Sequence, residues 1–257
     1  MVKAYPAWLR PGKMRRMNRL PTLPACCTPL RTDWPLPQAL PGCVLVSTDF
    51  TAALLNVDDF QHCAIDMPAS IQRSVAKRQA EFLAGRLCAR AALLQLDNTH
   101  ATPTIGEDRA PVWPAHIAGA ITHSNGRAAA IVALKRDWQA LGMDLENLLS
   151  DERAKRLARE ILTPDELQRM AKGPAEQIAQ WVTLTFSVKE SLFKALFPLV
   201  GQRFYFEHAE VLSWSPEGHI RLRLLTDLSA QWHHGRELDA QFCVTKGQLL
   251  SVVAIKA

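Results

Sequence analysis

The sequence predicts an α+β fold built from two similar lobes with a cleft between them. Three observations point there. Each half carries one long helical stretch, 78–96 and 180–196, and each stretch is followed by strands that end in a hairpin. Helical and strand periodicities both occur, so neither an all-α nor an all-β class fits. The 257 residues suffice for one large or two small domains. No apolar run reaches the ~18 residues a spanning helix needs.

The elements follow in order. Residues 42–50 read as a strand. The stretch 66–96 is helical, with Phe82, Leu83, Leu87, Ala91 and Leu94 recurring at helical spacing. Pro103, Gly106, Pro111 and Pro114 make 98–114 a loop. Asn125-Gly126 between apolar runs marks a hairpin of 119–121 with 128–134. A turn over 135–138 leads to a strand at 141–146 and a charged amphipathic helix at 151–161. Thr163-Pro164-Asp165-Glu166 opens another helix: Thr caps it, Pro takes the first position and Glu the third. In 180–196, Trp181, Leu184, Val188, Leu192 and Leu196 share one face. Strands are expected over 204–214, 219–225, 240–245 and 249–255, the last pair turned by Lys246-Gly247-Gln248.

The net charge of +5 and isoelectric point near 9.0 suit a nucleic-acid binder. Position removes that reading. Residues 1–35 hold seven of the 30 bases and one of the 25 acids, a charge of +6, which leaves −1 on the rest. Eight of the 16 prolines also fall before residue 42. Proline lacks the amide proton and disfavours helix before it. Residues 1–41 are therefore expected to form an irregular basic tail, poorly ordered or offered to an anionic membrane or acidic partner. No apolar stretch follows the bases as in a secretory signal. Residues 42–257 are the expected folded part, with one lobe over about 42–140 and the other over about 141–257. The six cysteines lack metal-ligand spacing, which fits a cytoplasmic protein with neither a zinc site nor a disulfide framework.

Several constellations could carry chemistry. In Gly142-Met143-Asp144-Leu145-Glu146, strand alternation puts both carboxylates on one face. Like charges there repel unless a proton or cation intervenes, and a hard divalent ion takes oxygen ligands. A solvated edge strand is the plainer explanation. In 186–194, Glu190 and Lys194 are one helical turn apart. An exposed pair of this kind would contribute about 0.3–0.5 kcal/mol, but its neighbours Trp181, Phe186, Phe193 and Phe197 favour a site. Lys77-Arg78, Arg86 and Arg90 lie along one helix, either as a solvated basic face or as phosphate ligands. Thr122-His123-Ser124 and Arg109-Ala110-Pro111 say little alone.

In this order, Lys77-Arg78-Gln79-Ala80-Glu81-Phe82-Leu83-Ala84-Gly85-Arg86, Arg109-Ala110-Pro111, Thr122-His123-Ser124, G-x-D-x-E at 142–146 and F-S-x-K-E-x-x-x-K at 186–194 resemble the 4′-phosphopantetheinyl transferase superfamily. The likeness is greatest to its enterobactin synthase component D-like branch. It runs from about residue 42 to the C-terminus. The resemblance implies a monomer of pseudo-two-fold α+β lobes with coenzyme A in the cleft. It implies Mg²⁺-dependent transfer of the phosphopantetheine arm to a serine of an apo acyl, peptidyl or aryl carrier protein, with release of adenosine 3′,5′-bisphosphate. Asp144, Glu146 and Glu190 would ligate Mg²⁺. Glu190, directly or through a water on the metal, would be the base, and Lys194 would steady the pyrophosphate or leaving group. Arg78, Arg86, Arg109 and His123 would bind the nucleotide end, chiefly its 3′-phosphate. Pro111, Thr122 and Ser124 would shape that pocket, and Lys189 is grouped with the cofactor-binding residues. Thr122 stands where many members have serine and keeps the hydroxyl. Whether Lys77 or Arg78 makes the phosphate contact stays open. The competing readings are a phosphohydrolase using the same carboxylates and a non-catalytic carrier-binding module.

Overall fold

The structure, a computed structural model, describes residues 23–257. Strand β1 (Val44–Asp49) leads through a 3-10 turn (Ala52–Leu54) to the short helices α1 (Asp59–His62) and α2 (Ala69–Gln72), then to the long α3 (Ala76–Asp97). The helical stretch expected from residue 66 is thus broken. Val75 is extended (φ −64°, ψ 154°), and Gln79 Nε2 donates to the carbonyls of Ile71, Gln72 and Ser74. A small pair, β2 (Thr104–Ile105) and β3 (Pro111–Val112), sits inside the expected loop. Next come β4 (Ile117–Ser124) and β5 (Arg127–Leu134). Their turn residues Asn125 and Gly126 have φ of 24° and 85°, the positive values a two-residue hairpin requires.

The second half opens with β6 (Trp138–Asn147), α4 (Asp151–Ile161) and α5 (Pro164–Lys172). The capping box on α5 forms as read: Thr163 Oγ1 accepts from the Glu166 amide and Glu166 accepts from the Thr163 amide. Helix α6 (Ile178–Val200) runs longer than expected and holds Pro198 in its last turns. Strands β7 (Ala209–Trp214), β8 (His219–Leu224), β9 (Glu237–Thr245) and β10 (Gln248–Lys256) complete the chain. β7 starts later than expected because a 3-10 turn (Phe206–His208) precedes it.

Two antiparallel sheets result, in the orders β1-β5-β4 and β6-β10-β9-β8-β7. The repeat seen in the sequence is topological. A strand, a long helix and a hairpin, with the first strand paired to the last, occur as β1-α3-β4-β5 and again as β6-α6-β9-β10.

Strand alternation builds the core. Ala129, Ile131 and Ala133 join Leu141, Met143, Leu145, Leu250 and Val252 in one cluster shared by both sheets. Ala130 and Val132, on the opposite face, pack with Cys88, Ala89 and Leu93 of α3. Helix α6 buries Leu184, Val188 and Leu192 with Leu249 and Val253. Among the described residues, no helix is long and apolar enough to cross a membrane.

Residues 1–22 of the proline-rich segment lie outside the described residues. Residues 23–41 contain no helix and only isolated bridges, yet they are fastened to both sheets. Arg31 donates twice to Asp49 at 2.9 Å, and Leu36 is buried in the shared cluster. Gln38 N donates to Gln241 Oε1 at 2.8 Å, and Trp138 Nε1 donates to the Pro41 carbonyl at 2.8 Å.

Candidate active site

The even-numbered face of β6 meets α6. A Cβ on Gly142 would fall 1.8 Å from the Ser191 carbonyl oxygen and 2.7 Å from the Ala195 nitrogen. Only glycine lets strand and helix approach this closely. The helix is tied further by Ser187 and Ser191, whose hydroxyls each lie 2.8 Å from Ser251 Oγ on β10. Two residues beyond Gly142, Asp144 Oδ1 accepts from Lys194 Nζ at 2.6 Å, and the same ammonium donates to the Met143 carbonyl at 3.1 Å. The lysine therefore pairs with Asp144 across the strand–helix contact rather than with Glu190, one turn earlier on its own helix.

The acids around this contact are held at a cost. Asp144 is 5% exposed, and its Oδ2 is buried with no hydrogen-bond partner among the described residues. Burial, and next the charge of Asp144, pushes Glu146 up to about 7. Burial raises Glu190 too, with Lys194 opposing and Asp144 adding. Among the described residues, no three His, Cys, Asp or Glu side chains converge tightly enough to grip a metal as they stand, and Lys194 holds one of the two Asp144 oxygens.

The other half approaches through β4, the edge of its sheet, which lies beside the edge strand β6. Thr122 joins them: its buried Oγ1 accepts from the Leu145 amide at 3.0 Å and donates to Asp144 Oδ1 at 3.5 Å. His123, on the opposite face of β4, turns to α3. Its Nε2 lies 2.6 Å from Arg78 Nη1, and Glu81 Oε2 lies 3.3 Å from Arg78 Nη1 and 3.5 Å from His123 Nδ1. Burial lowers the His123 pKa; Glu81 opposes and Arg78 reinforces the shift. Arg78, not the exposed Lys77, is thus the member of that pair joined to the histidine.

Arg86 is 6% exposed, with its guanidinium over the Phe82 ring at 4.5 Å and Nη2 donating to the Thr104 carbonyl at 3.3 Å. Its Nε has no partner among the described residues. Burial, then the charge of Arg78, pushes its pKa down to about 10, still charged at neutral pH. Arg109 is exposed on the turn between β2 and β3 at φ 64°, and Pro111 opens β3. Ser124 closes β4, opposite Arg127. A cavity of about 170 Å³ lies beside Glu190, walled by Phe193, Phe204 and Phe206, with Arg203 and Tyr205 in its lining.

Lys189, which the resemblance groups with the cofactor-binding residues, borders the cavity beside Glu190, but its ammonium is spent within the fold. It is 3% exposed, and each of its three ammonium protons has an acceptor: Glu166 Oε2 at 2.7 Å and the Ile161 and Phe206 carbonyls at 2.9 Å. Burial lowers its pKa against the pull of Glu166. Glu166 Oε1 also accepts from the Val211 amide at 2.6 Å. The pair ties α5, α6 and β7 together and leaves Lys189 no free donor. Neither Glu166 nor Glu81 stands out in the sequence as a site-supporting residue. The capping box marks Glu166 in the sequence, but its reach to Lys189 is a tertiary contact that no spacing announces.

Two family matches fall one within each repeat. Residues 67–133 match the model described as 4′-phosphopantetheinyl transferase N-terminal domain, and residues 140–249 match the one described as 4′-phosphopantetheinyl transferase superfamily. The chain is 35% identical over 176 residues to enterobactin synthase component D of Escherichia coli (strain K12), covering 68% of this chain and 81% of that protein. It is 33% identical over 195 residues to 4′-phosphopantetheinyl transferase Svp of Streptomyces mobaraensis, 74% of this chain and 77% of that one. With 4′-phosphopantetheinyl transferase Npt of Nocardia iowensis it shares 31% over 151 residues, 55% and 62% of the two chains. The matched ranges hold β4, β6, α3 and α6, the elements whose side chains meet here, and the chain belongs to the 4′-phosphopantetheinyl transferase superfamily, as an enzyme of its enterobactin synthase component D-like branch.

Proposed function

We propose that this enzyme moves the 4′-phosphopantetheine arm of coenzyme A onto a serine of an apo acyl, peptidyl or aryl carrier protein and releases adenosine 3′,5′-bisphosphate. The observation that carries this reading is the meeting of two corners at adjacent sheet edges. One holds three carboxylates and Lys194; the other holds Arg78, Arg86 and His123. Thr122 connects them.

Asp144, Glu146 and Glu190 would hold Mg²⁺. The donor set fits such an ion. Two of the carboxyls are raised by burial, each with an added push from Asp144, and Asp144 Oδ2 is buried without a partner among the described residues. Oxygen-only ligation suits a hard divalent cation. When bound, the ion supplies neutralising charge to the pyrophosphate oxygens.

The chain's own residues do the rest. Arg86, buried without a carboxylate partner among the described residues, takes an anionic phosphate of the nucleotide end, and Arg78, steadied by His123, takes the 3′-phosphate. Arg109, Pro111, Thr122 and Ser124 border that end. The pantetheine arm runs by the cavity beside Glu190. As the serine Oγ bonds to the β-phosphorus, the bond from that phosphorus to the oxygen of the leaving bisphosphate breaks. Glu190 accepts the serine proton. Lys194 donates to the leaving oxygens.

The test is to incubate the enzyme with coenzyme A, Mg²⁺ and an apo carrier and to weigh the carrier. A gain of one phosphopantetheine mass, lost in Glu190→Gln, is expected. Coenzyme A cleaved with the carrier unchanged would mean hydrolysis instead. A carrier and coenzyme A both unchanged would leave only a binding role. Near-normal turnover by Glu190→Gln would overturn the assignment of that residue.

A further inference from the structure

Glu81 is an acid set among groups that would bind an anion. It is 9% exposed on α3, and its Oε2 faces both Arg78 Nη1 (3.3 Å) and His123 Nδ1 (3.5 Å). A guanidinium has donors and no acceptor. The 2.6 Å contact between Arg78 Nη1 and His123 Nε2 therefore makes Nε2 the acceptor and leaves the ring proton on Nδ1, the nitrogen facing Glu81. The charge of Arg78 also acts on Arg86, whose charged form it disfavours. The charged groups acting on His123 are Glu81 and Arg78 from α3, Lys194 from α6 and Asp144 from β6.

The geometry points to Glu81 as a positioning residue for the 3′-phosphate of coenzyme A: it faces both Arg78 and the Nδ1 proton of His123, so that Nε2 accepts from Arg78 Nη1 and the guanidinium is fixed for the phosphate. This rests on the placement of the nucleotide end proposed above. Glu81 reaches from α3 to the histidine of β4. Its own negative charge forbids direct contact with the phosphate, so it acts through its two neighbours.

The test compares coenzyme A with dephospho-coenzyme A, which lacks the 3′-phosphate. Glu81→Ala should raise KM for coenzyme A about tenfold and leave kcat within about twofold. Its KM for dephospho-coenzyme A should stay within about twofold. Glu81→Gln keeps one acceptor oxygen and the side-chain volume; it should raise KM for coenzyme A about threefold, and it carries the test should the alanine variant fail to fold. Long-range ¹H–¹⁵N spectra should show the His123 ring moving from the Nδ1–H tautomer towards Nε2–H in Glu81→Ala. Equal losses on both substrates, or a loss in kcat alone, would indicate a structural role and overturn the inference. So would unchanged KM and tautomer in both variants while Arg78→Ala raises KM for coenzyme A. If Arg78→Ala leaves that KM unchanged, the placement of the nucleotide end itself fails.

Discussion

Replacing Gly142 by alanine puts a methyl group 1.8 Å from the Ser191 carbonyl oxygen, a backbone atom that no rotamer change can move. Ordinary contact begins at 3.4 Å, so strand and helix must part by about 1.6 Å. The Lys194–Asp144 contact, now 2.6 Å, would open to roughly 4 Å, beyond hydrogen-bond range. A displacement of ~1 Å in reacting groups costs on the order of 10²-fold in rate. Overpacking of this kind costs about 1–3 kcal/mol, or roughly 2–12 °C in Tm for a domain this size. The assay is transfer of the phosphopantetheine arm, followed by carrier mass, with thermal melts on the same samples. Gly201→Ala is the control: it caps α6 at φ 68° with nothing within 4 Å. It should lose about 1 kcal/mol through backbone strain and keep its rate. A Gly142→Ala enzyme that melts and transfers like the unmodified one would refute the claim that this close approach builds the site.

Other outcomes follow from the same geometry. Lys189→Met should cost about 3–5 kcal/mol by leaving Glu166 buried and unpaired, and Lys189→Met with Glu166→Gln should recover much of it; the KM for coenzyme A of the double variant should stay unchanged in steady-state kinetics. Chelation by EDTA should abolish transfer, and added Mg²⁺ should restore it in the unmodified enzyme but not in Asp144→Asn, as read by carrier mass. His123 has a folded-state pKa below its usual 6.5, so the unfolded chain binds its proton first as pH falls. Its contribution is intact above about 6.5 and declines as pH drops towards the folded value. Glu146 acts in the opposite sense between its usual value and about 7. Comparing Tm against pH for His123→Asn and the unmodified protein isolates the histidine. A parallel pair of curves would show that it contributes no such dependence.

Local signals carried the fold a long way. Helix α4 has the bounds its charge pattern implied, the Asn125-Gly126 turn lies where its dipeptide put it, and the Thr163–Glu166 box closes both its hydrogen bonds. These depend on residues close in sequence. The break before α3 did not announce itself, because it is made by Gln79 reaching back to three carbonyls, while Phe82 and Leu83 repeat with helical period regardless. The path of 23–41 was equally hidden. Its prolines exclude helix, but its attachment depends on partners such as Gln241 and Trp138, some 200 and 97 residues away.

The two lysines of F-S-x-K-E-x-x-x-K show why the candidate site was legible only in part. Residues 189 and 194 are five apart, about 140° around a helix at 100° per residue, so they cannot serve the same face. The motif does not say which of them meets the carboxylates. Ser187, Ser191 and Ala195 answer that, since they lie against Ser251 and Gly142 and so define the sheet-facing arc of α6. Lys194 is about 60° from Ser191 and falls within reach of Asp144; Lys189 is about 160° from it and points into the knot around Glu166. Replacing Lys189 together with Glu166 should therefore leave transfer intact, whereas replacing Lys194 removes the cation that meets Asp144. Which lysine of this motif meets Asp144 and which meets Glu166 is therefore set by the glycine of the neighbouring strand, 52 residues before Lys194 in the chain.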